Sequence, residues 1–382
     1  MYAARMNSLP PYLFARIDEM KGEQLKKGVD IIDLGVGDPD LPTPGHIVTS
    51  LCEAAKNPDN HHYPSYAGMP EYRSAVAGWY KQRFGIRLDA GTEVLALMGS
   101  KDGIAHIPEA FVNPGNYVLV PSPGYPVYRT GTLFADGRVH EMPLAAENNF
   151  IPVLDDIPGN VVKAARLMFI NYPNNPTAAV APEDFFREVV DFAHEHDIVV
   201  VSDNAYSEIA YDGYHAPSFL ETKGAMDVGI EMHSLSKTYN MTGWRIGMAV
   251  GNAGILAGLG QVKTNVDSGV FNAVQHAAIT ALRGPQDCVR NACTIYQERR
   301  DVLIAGLHDL GFDVSPPKAT FYVWLPVDDC MAFTKKLLID AGIVVTPGVG
   351  FGSSGEGYVR FALTRPVERI QEAIGRMQGL DT

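Results

Sequence analysis

Six short apolar runs constrain this chain more than any other feature, because they do not alternate. They are "EVLALMG" (93–99), "YVLVPSP" (117–123), "RLMFINYP" (166–173), "IVVVSDNAY" (198–206), "GIEMHSLSK" (229–237) and "RIGMAVG" (245–251). A strand with one wet face alternates apolar and polar side chains. Nearly continuous runs belong to strands covered on both faces, as in a mostly parallel sheet. Such a sheet needs crossover helices, and helical stretches lie between the runs. "PEDFFREVVDFAHEHD" (182–197) sets Phe185, Val189, Phe192 and Ala193 at helical spacing, with acids in its first turn. The expected fold is therefore α/β.

After about residue 286 the texture changes. A long helical segment (288–311) leads to strand-like "ATFYVWLPV" (319–327), helical "CMAFTKKLLIDAG" (330–342), then strand-like "IVVTPG" (343–348) and "GYVRFALT" (357–364). This reads as a smaller α+β domain. The first 48 residues end in the loop "LGVGDPDLPTP" (34–44) and are expected to return to it. The expected division is a large domain at 49–286 and a small domain made of 1–48 and 287–382.

At 382 residues and 46% hydrophobic, the chain can bury a sizeable core. Its net charge of -13, with no basic cluster, argues against nucleic acid or an anionic membrane as a partner. The four cysteines, Cys52, Cys288, Cys293 and Cys330, form no close pair, so neither a disulfide scaffold nor a metal site is expected. The N-terminus lacks the apolar core of a signal peptide, and no apolar run reaches the roughly 18 residues of a membrane span. A soluble cytoplasmic protein is expected.

The polar residues at the ends of the apolar runs carry the chemistry. In an open parallel sheet, ligands collect beyond the carboxyl ends of the strands. Asn175, Asp203, Tyr206 and Lys237 all stand there. Lys237 lies in "HSLSKTYNMTGWRIG" (233–247), among small hydroxyl residues and with Arg245 eight positions later. A lysine amine condenses with an aldehyde to form a Schiff base, and pyridoxal phosphate is the cofactor that uses this most. Its site needs three further parts, and the sequence has a candidate for each. Asp203 can keep the pyridine nitrogen protonated. "GSKDG" (99–103), between a strand and a helix, suits a phosphate, aided by Ser234, Ser236 and Arg245. Tyr125 can stack on the ring, while Asn175 and Tyr206 can hydrogen-bond its phenolic oxygen.

The motifs "NYPNNPT", "DNAYSE" and "SLSKTYNMTGWRIG" resemble those of the fold-type I, class I/II pyridoxal-phosphate aminotransferases, and the likeness runs from near residue 8 to the C-terminal helix. The resemblance implies a mostly parallel seven-stranded sheet between helices. It makes Lys237 the Schiff-base lysine and proton shuttle, with Asp203 and Tyr206 beside it. It places Ser100 and Lys101 in the phosphate cradle. Tyr63 in "YPSYAGMPEYR" matches a tyrosine that reaches the neighbouring subunit's phosphate, which implies a homodimer with shared sites. Arg360 in "GYVRFAL" matches the arginine that grips the substrate α-carboxylate, and Gly37 in "GVGDPD" lets backbone approach that group. No metal is implied.

"PPYLFARIDEMK", "GVGDPDLPTP" and "DNAYSEIAYDGYHAPSFLE" resemble the bacterial LL-diaminopimelate aminotransferase branch. That implies amino transfer between LL-diaminopimelate and 2-oxoglutarate, on the route to lysine. Two departures stand out: a short segment near "LPVDDCMAF" (325–333), and "NPTAAV" where "NPTGAV" is usual. Aspartate or aromatic aminotransferases and β-lyases of the same fold share the motifs and stay open as alternatives. The resemblance offers Lys318, Tyr322, Tyr12, Tyr66 and the residues around Asn272 as readers of the substrate's distal end. "GFGSSG" (350–355) fits a dinucleotide fingerprint, but no helix follows it, so a flexible loop beside Arg360 is expected. Arg73, Arg129, Arg299 and Arg300 are expected to be structural or surface charges.

Overall fold

The computed structural model describes residues 13–380 together with Tyr2, Met6 and Leu9. Helix α1 (Leu13–Lys26) leads to a two-residue strand β1 (Ile32–Asp33), then to α2 (Gly45–Lys56) and α3 (Pro70–Phe84). The main alternation follows: β2 (Val94–Leu97), α4 (Ser100–Phe111), β3 (Tyr117–Ser122), α5 (Val127–Phe134), β4 (Arg138–Pro143), β5 (Ala165–Ile170), α6 (Glu183–His196), β6 (Val199–Asp203), β7 (Gly229–Ser234) and β8 (Gly247–Gly251). These strands form one seven-stranded sheet in the order β2-β8-β7-β6-β5-β3-β4. Only β8 runs antiparallel to its neighbours.

Both faces of the sheet are covered, which is why its strands read as unbroken apolar runs. On one face, Met168, Ile170, Val200 and Met248 pack with Tyr72, Trp79 and Tyr80 of α3 and Phe185 and Phe186 of α6. On the other, Leu167, Phe169, Val201 and Met232 pack with Ile104 and Ile107 of α4 and with Leu256 and Leu259 of α7 (Ala253–Val266). Neighbours along β5 thus alternate between two buried faces. Strand β4 gave no apolar signal because "RVHEMP" is an edge strand, where one flank stays polar.

Helices α8 (Asn272–Arg283) and α9 (Asp287–Asp309) lead to a second unit. It holds β9 (Tyr322–Pro326), α10 (Cys330–Lys336), β10 (Ile343–Val344), β11 (Thr346–Pro347), β12 (Tyr358–Ala362) and α11 (Val367–Met377). Its own core gathers Ile304, Leu307, Val323, Leu325, Phe361 and Ile370. The segment read as one strand at 343–348 is split. Strand β10 pairs in parallel with β1 (Ile32 opposite Ile343), while β11 pairs antiparallel with β12. Through β1, the segment before residue 48 is thus joined to this unit by a two-residue ladder. The long helical reading at 330–342 ends instead in one π turn over Leu337–Ala341.

The two departures noted in the sequence have local consequences. At 325–333, β9 gives way to α10 through a tight turn, and Asp329 caps that helix by accepting from Ala332 N at 2.8 Å. Ala178, in the loop after β5, has φ +58°. That is the left-handed region, where a Cβ costs about 1 kcal/mol and glycine is at ease.

The loop 34–44 is fixed by a buried fork. Arg299 on α9 donates to both oxygens of Asp40, at 2.7 and 2.8 Å, and to the Leu363 carbonyl at 3.0 Å. Truncating one partner of such a pair leaves an uncompensated charge. Arg299→Ala is expected to lower unfolding free energy in urea by about 3 kcal/mol. A loss below about 1 kcal/mol would mean that the fork does not hold the loop.

Candidate active site

The carboxyl ends of β3, β5, β6 and β7 open on one cavity of about 290 Å³. Lys237 stands in a helical turn, Leu235–Thr238, directly after β7. Ser234 caps that turn by accepting from Ser236 N at 3.2 Å. The Lys237 ammonium donates to the Gly37 carbonyl at 2.9 Å and lies 5.6 Å from the Phe321 ring. Burial, together with the Arg360 and Arg245 charges, outweighs the pull of Asp38 and pushes this amine down to about 8. The neutral, nucleophilic form is therefore within reach near neutral pH.

Asp203 ends β6 and is buried. Tyr128 donates its hydroxyl to Oδ2 at 2.7 Å, and Asn171 donates to the Asp203 backbone carbonyl at 2.7 Å. Among the described residues, Oδ1 has no hydrogen-bond partner. Burial pushes the carboxyl up to about 6, against the Tyr128 hydrogen bond, the nearby Ala205 backbone N–H and the Lys237 charge. A buried carboxylate with one open acceptor suits a cationic N–H donor.

Arg360, on β12, carries the opposite charge and is only 5% exposed. It donates to Asn175 Oδ1 at 2.7 Å and to the Gly35 carbonyl at 2.8 Å, both neutral acceptors. Its guanidinium lies 4.1 Å from the Tyr322 ring and 4.7 Å from the Phe351 ring. Among the described residues no carboxylate pairs with it, and Nε has no partner. Burial lowers its pKa. A buried fork with no counter-ion is built for a carboxylate that arrives from outside.

The other candidates complete the wall or stand behind it. Gly37, Ser100, Lys101, Tyr125, Asn175, Asp203, Tyr206, Ser234, Lys237 and Arg360 all line the cavity. A side chain at Gly37 would collide with the Tyr322 hydroxyl, which itself meets the Tyr206 hydroxyl at 3.0 Å. Burial raises the Tyr206 pKa. Ser100 and Lys101 begin α4, whose N-terminus has no side-chain cap. Arg245 closes on that turn by donating to the Met98 carbonyl at 3.1 Å, and its guanidinium fills the space a side chain on Gly99 would need. Uncapped N–H groups beside a guanidinium make an anion cradle. Ser236 does not line the cavity, and among the described residues its buried hydroxyl has no partner. Tyr63 is absent from the wall of its own chain and 89% exposed.

Of the distal-end candidates, Tyr322 is in the wall, while Lys318, Tyr66 and Asn272 are not. Tyr12 lies outside the described residues. A larger cavity of about 650 Å³ adjoins the first and shares Lys101, Tyr125 and Phe351 with it. The "GFGSSG" stretch is not an open loop. It forms two tight turns, Gly348–Phe351 and Ser353–Gly355, that press Phe351 against Arg360. Arg299 and Arg300 are buried structural charges, with Arg300 paired to Asp212 and Asp301.

Sequence reasoning missed Tyr128, Asn171 and Phe351. Tyr128 follows Tyr125 by three residues, and their rings meet edge-on at 5.8 Å. Asn171 is the first polar residue after β5, as much a strand-end residue as Asn175. Phe351 carried no signal apart from its neighbours.

The model of the family "Aminotransferase class I and II" matches residues 29–377. The chain belongs to this family. Its members move amino groups between amino acids and 2-oxo acids, and the family uses pyridoxal phosphate. An LL-diaminopimelate aminotransferase of Syntrophobacter fumaroxidans is 58% identical, over 99% of this chain and 98% of that protein. One of Aquifex aeolicus is 53% identical, over 99% of each. Among solved structures, apo-BacF of Bacillus subtilis superposes with a TM-score of 0.96 at 39% identity, covering 100% of this chain and 98% of that one. A probable N-succinyldiaminopimelate aminotransferase of Thermus thermophilus gives 0.90 at 35%, covering 96% and 99%. No helix among the described residues is long and apolar enough to cross a membrane.

The Asp203 carboxyl gives a pH test on cofactor-free protein. Its ordinary value is 3.8, and the fold raises it to about 6. The folded protein therefore holds this proton more tightly than the unfolded chain. The stability it contributes is present below the ordinary value and is lost as pH rises through the raised one. Between about pH 4 and about pH 7, stability is expected to shift in favour of Asp203→Asn over wild type by up to about 3 kcal/mol. Urea unfolding across that range measures it. A difference that stays constant with pH would mean the carboxyl is not destabilised by burial.

Proposed function

We propose that this protein is an LL-diaminopimelate:2-oxoglutarate aminotransferase that holds pyridoxal phosphate on Lys237 and works as a cytoplasmic homodimer with shared active sites. The single observation that carries the site assignment is the pair of buried charges without an ion-pair partner among the described residues, Asp203 and Arg360, in the same cavity wall as Lys237. The full-length likeness at 58% to a protein named for this substrate supports the substrate choice.

The residues fit the cofactor. Asp203 Oδ1 is an open buried acceptor for a protonated ring nitrogen. The start of α4, with Arg245 across it, offers donors to a phosphate. When bound, the cofactor supplies an aldehyde that condenses with amines and a ring that takes up the electron pair of the substrate Cα–H bond. With that group bound, Lys237 would be the residue that holds it, and its amine, lowered to about 8, would be the base that takes the substrate Cα proton. The Gly37 carbonyl, 2.9 Å from Nζ, steadies the ammonium that forms. Asp203 would hold the ring nitrogen in its protonated form, and Tyr128 donates to the Asp203 carboxylate and fixes its orientation. Arg360 fixes the α-carboxylate, which aligns the Cα–H bond toward Lys237. Both half-reactions use one site, so the kinetics are ping-pong.

Four large apolar side chains, Tyr63, Tyr66, Phe271 and Val266 at the end of α7, are exposed. Their exposure supports the homodimer, in which a second copy of the chain would cover them and Tyr63 would reach the partner's phosphate site.

Glutamate formation from 2-oxoglutarate, with LL-diaminopimelate, aspartate and phenylalanine as alternative donors, tests the reading. The expected kcat/KM for LL-diaminopimelate exceeds the others by at least about a hundredfold. A preference for aspartate or phenylalanine would overturn the substrate and leave the family membership intact.

A further inference from the structure

Behind the anion cradle lies a buried charge cluster that the reaction does not use. Lys263, on α7, has a side chain only 1% exposed. Its ammonium donates to Asp102 Oδ2, and to Asp267 Oδ2 at 2.7 Å. Asp102 sits in the first turn of α4, next to Lys101. The same Oδ2 accepts from Met98 N at 3.0 Å, and Oδ1 meets His106 Nδ1 at 2.9 Å. Met98 N–H belongs to the turn that delivers Gly99 and Ser100. Burial opposes the Asp102 charge, but His106 and Lys263 outweigh it and hold the carboxyl at about 2.

The other arm runs toward the exposed loop. Asp267 Oδ1 accepts from Gly269 N at 2.7 Å. Gly269 has φ +84°, and a Cβ there would stand 2.8 Å from the Ser65 carbonyl. One ammonium therefore ties the turn before the cradle to a turn packed against the loop that carries Tyr63.

We propose that Lys263 is a positioning residue for the phosphate cradle: by pinning Asp102 and Asp267 together, it holds the 98–101 turn in register with the Tyr63 loop. The inference rests on the cofactor reading above. It has two physical parts. The pairing fixes the carboxylate that orients Met98 N–H, and so fixes where the N–H groups of Ser100 and Lys101 point. It also neutralises a carboxylate in the first turn of α4, which would otherwise repel a phosphate dianion at the same helix end. Removing the ammonium loses both at once.

The test compares binding of pyridoxal phosphate and of pyridoxal, which lacks the phosphate, to cofactor-free protein by visible absorbance. Lys263→Met is expected to weaken pyridoxal phosphate binding at least tenfold and to leave pyridoxal binding unchanged. Lys263→Arg, which keeps the charge, should restore most of the loss. Asp267→Asn leaves the Lys263–Asp102 pair whole, and it should weaken pyridoxal phosphate alone by about threefold. This milder variant carries the test if Lys263→Met does not fold. Equal weakening of both ligands would overturn the proposal, because a general loosening of the fold is not selective for phosphate. Unchanged binding of both would overturn it too. A wild-type protein that takes up neither ligand would sink the cofactor reading, and this inference with it.

Discussion

The site depends on charge buried without an ion-pair partner among the described residues. Asp203 and Arg360 each sit in the interior, yet they do not meet each other, and each keeps an unpartnered polar atom among the described residues. Proteins rarely leave ionised groups in this state, because desolvation is costly unless a partner offsets it. The rest of the architecture surrounds that constraint. The parallel sheet brings Asp203 and Lys237 to adjacent strand ends. The second unit supplies Arg360 from a different sheet, and the loop 34–44 brings the Gly35 carbonyl to Arg360 and the Gly37 carbonyl to Lys237.

The site is therefore shared between the two units, and the contacts that join them bear on function. Gly35 and Gly37 come from the segment that Arg299 and Asp40 anchor, while Phe351 comes from a pair of tight turns that meet β3, where Gly124 N donates to the Phe351 carbonyl at 2.7 Å. Phe351 also presses on Arg360, so the hydrogen bond that Phe351 accepts from Gly124 bears on how the guanidinium is held. A displacement of either unit would move Arg360 relative to Lys237. Reaction geometry tolerates little of that.

Much of this was legible in the sequence, for identifiable reasons. Lys237, Asp203 and Asn175 announce themselves as polar residues at the ends of buried strands, where a parallel sheet puts its ligands. Unbroken apolar runs foretold coverage on both faces, and alternate burial along β5 is the physical basis. Arg360 was different. A lone arginine in a strand has no local signature, and only the family resemblance pointed to it. Tyr128 was passed over because its task is to hold Asp203 from another segment, a long-range contact that periodicity does not encode. Strand β4 was hidden by its polar edge, and the division of 343–348 between two sheets depends on β1, which lies more than three hundred residues earlier in the chain.

These segments converge on one lysine, Lys237, the proposed attachment point of the cofactor. Borohydride reduction of the protein loaded with pyridoxal phosphate, followed by peptide mass mapping, reads that attachment point. One pyridoxyl group per chain, on Lys237, is expected. A label spread over surface lysines, or a single label on another residue, would contradict it.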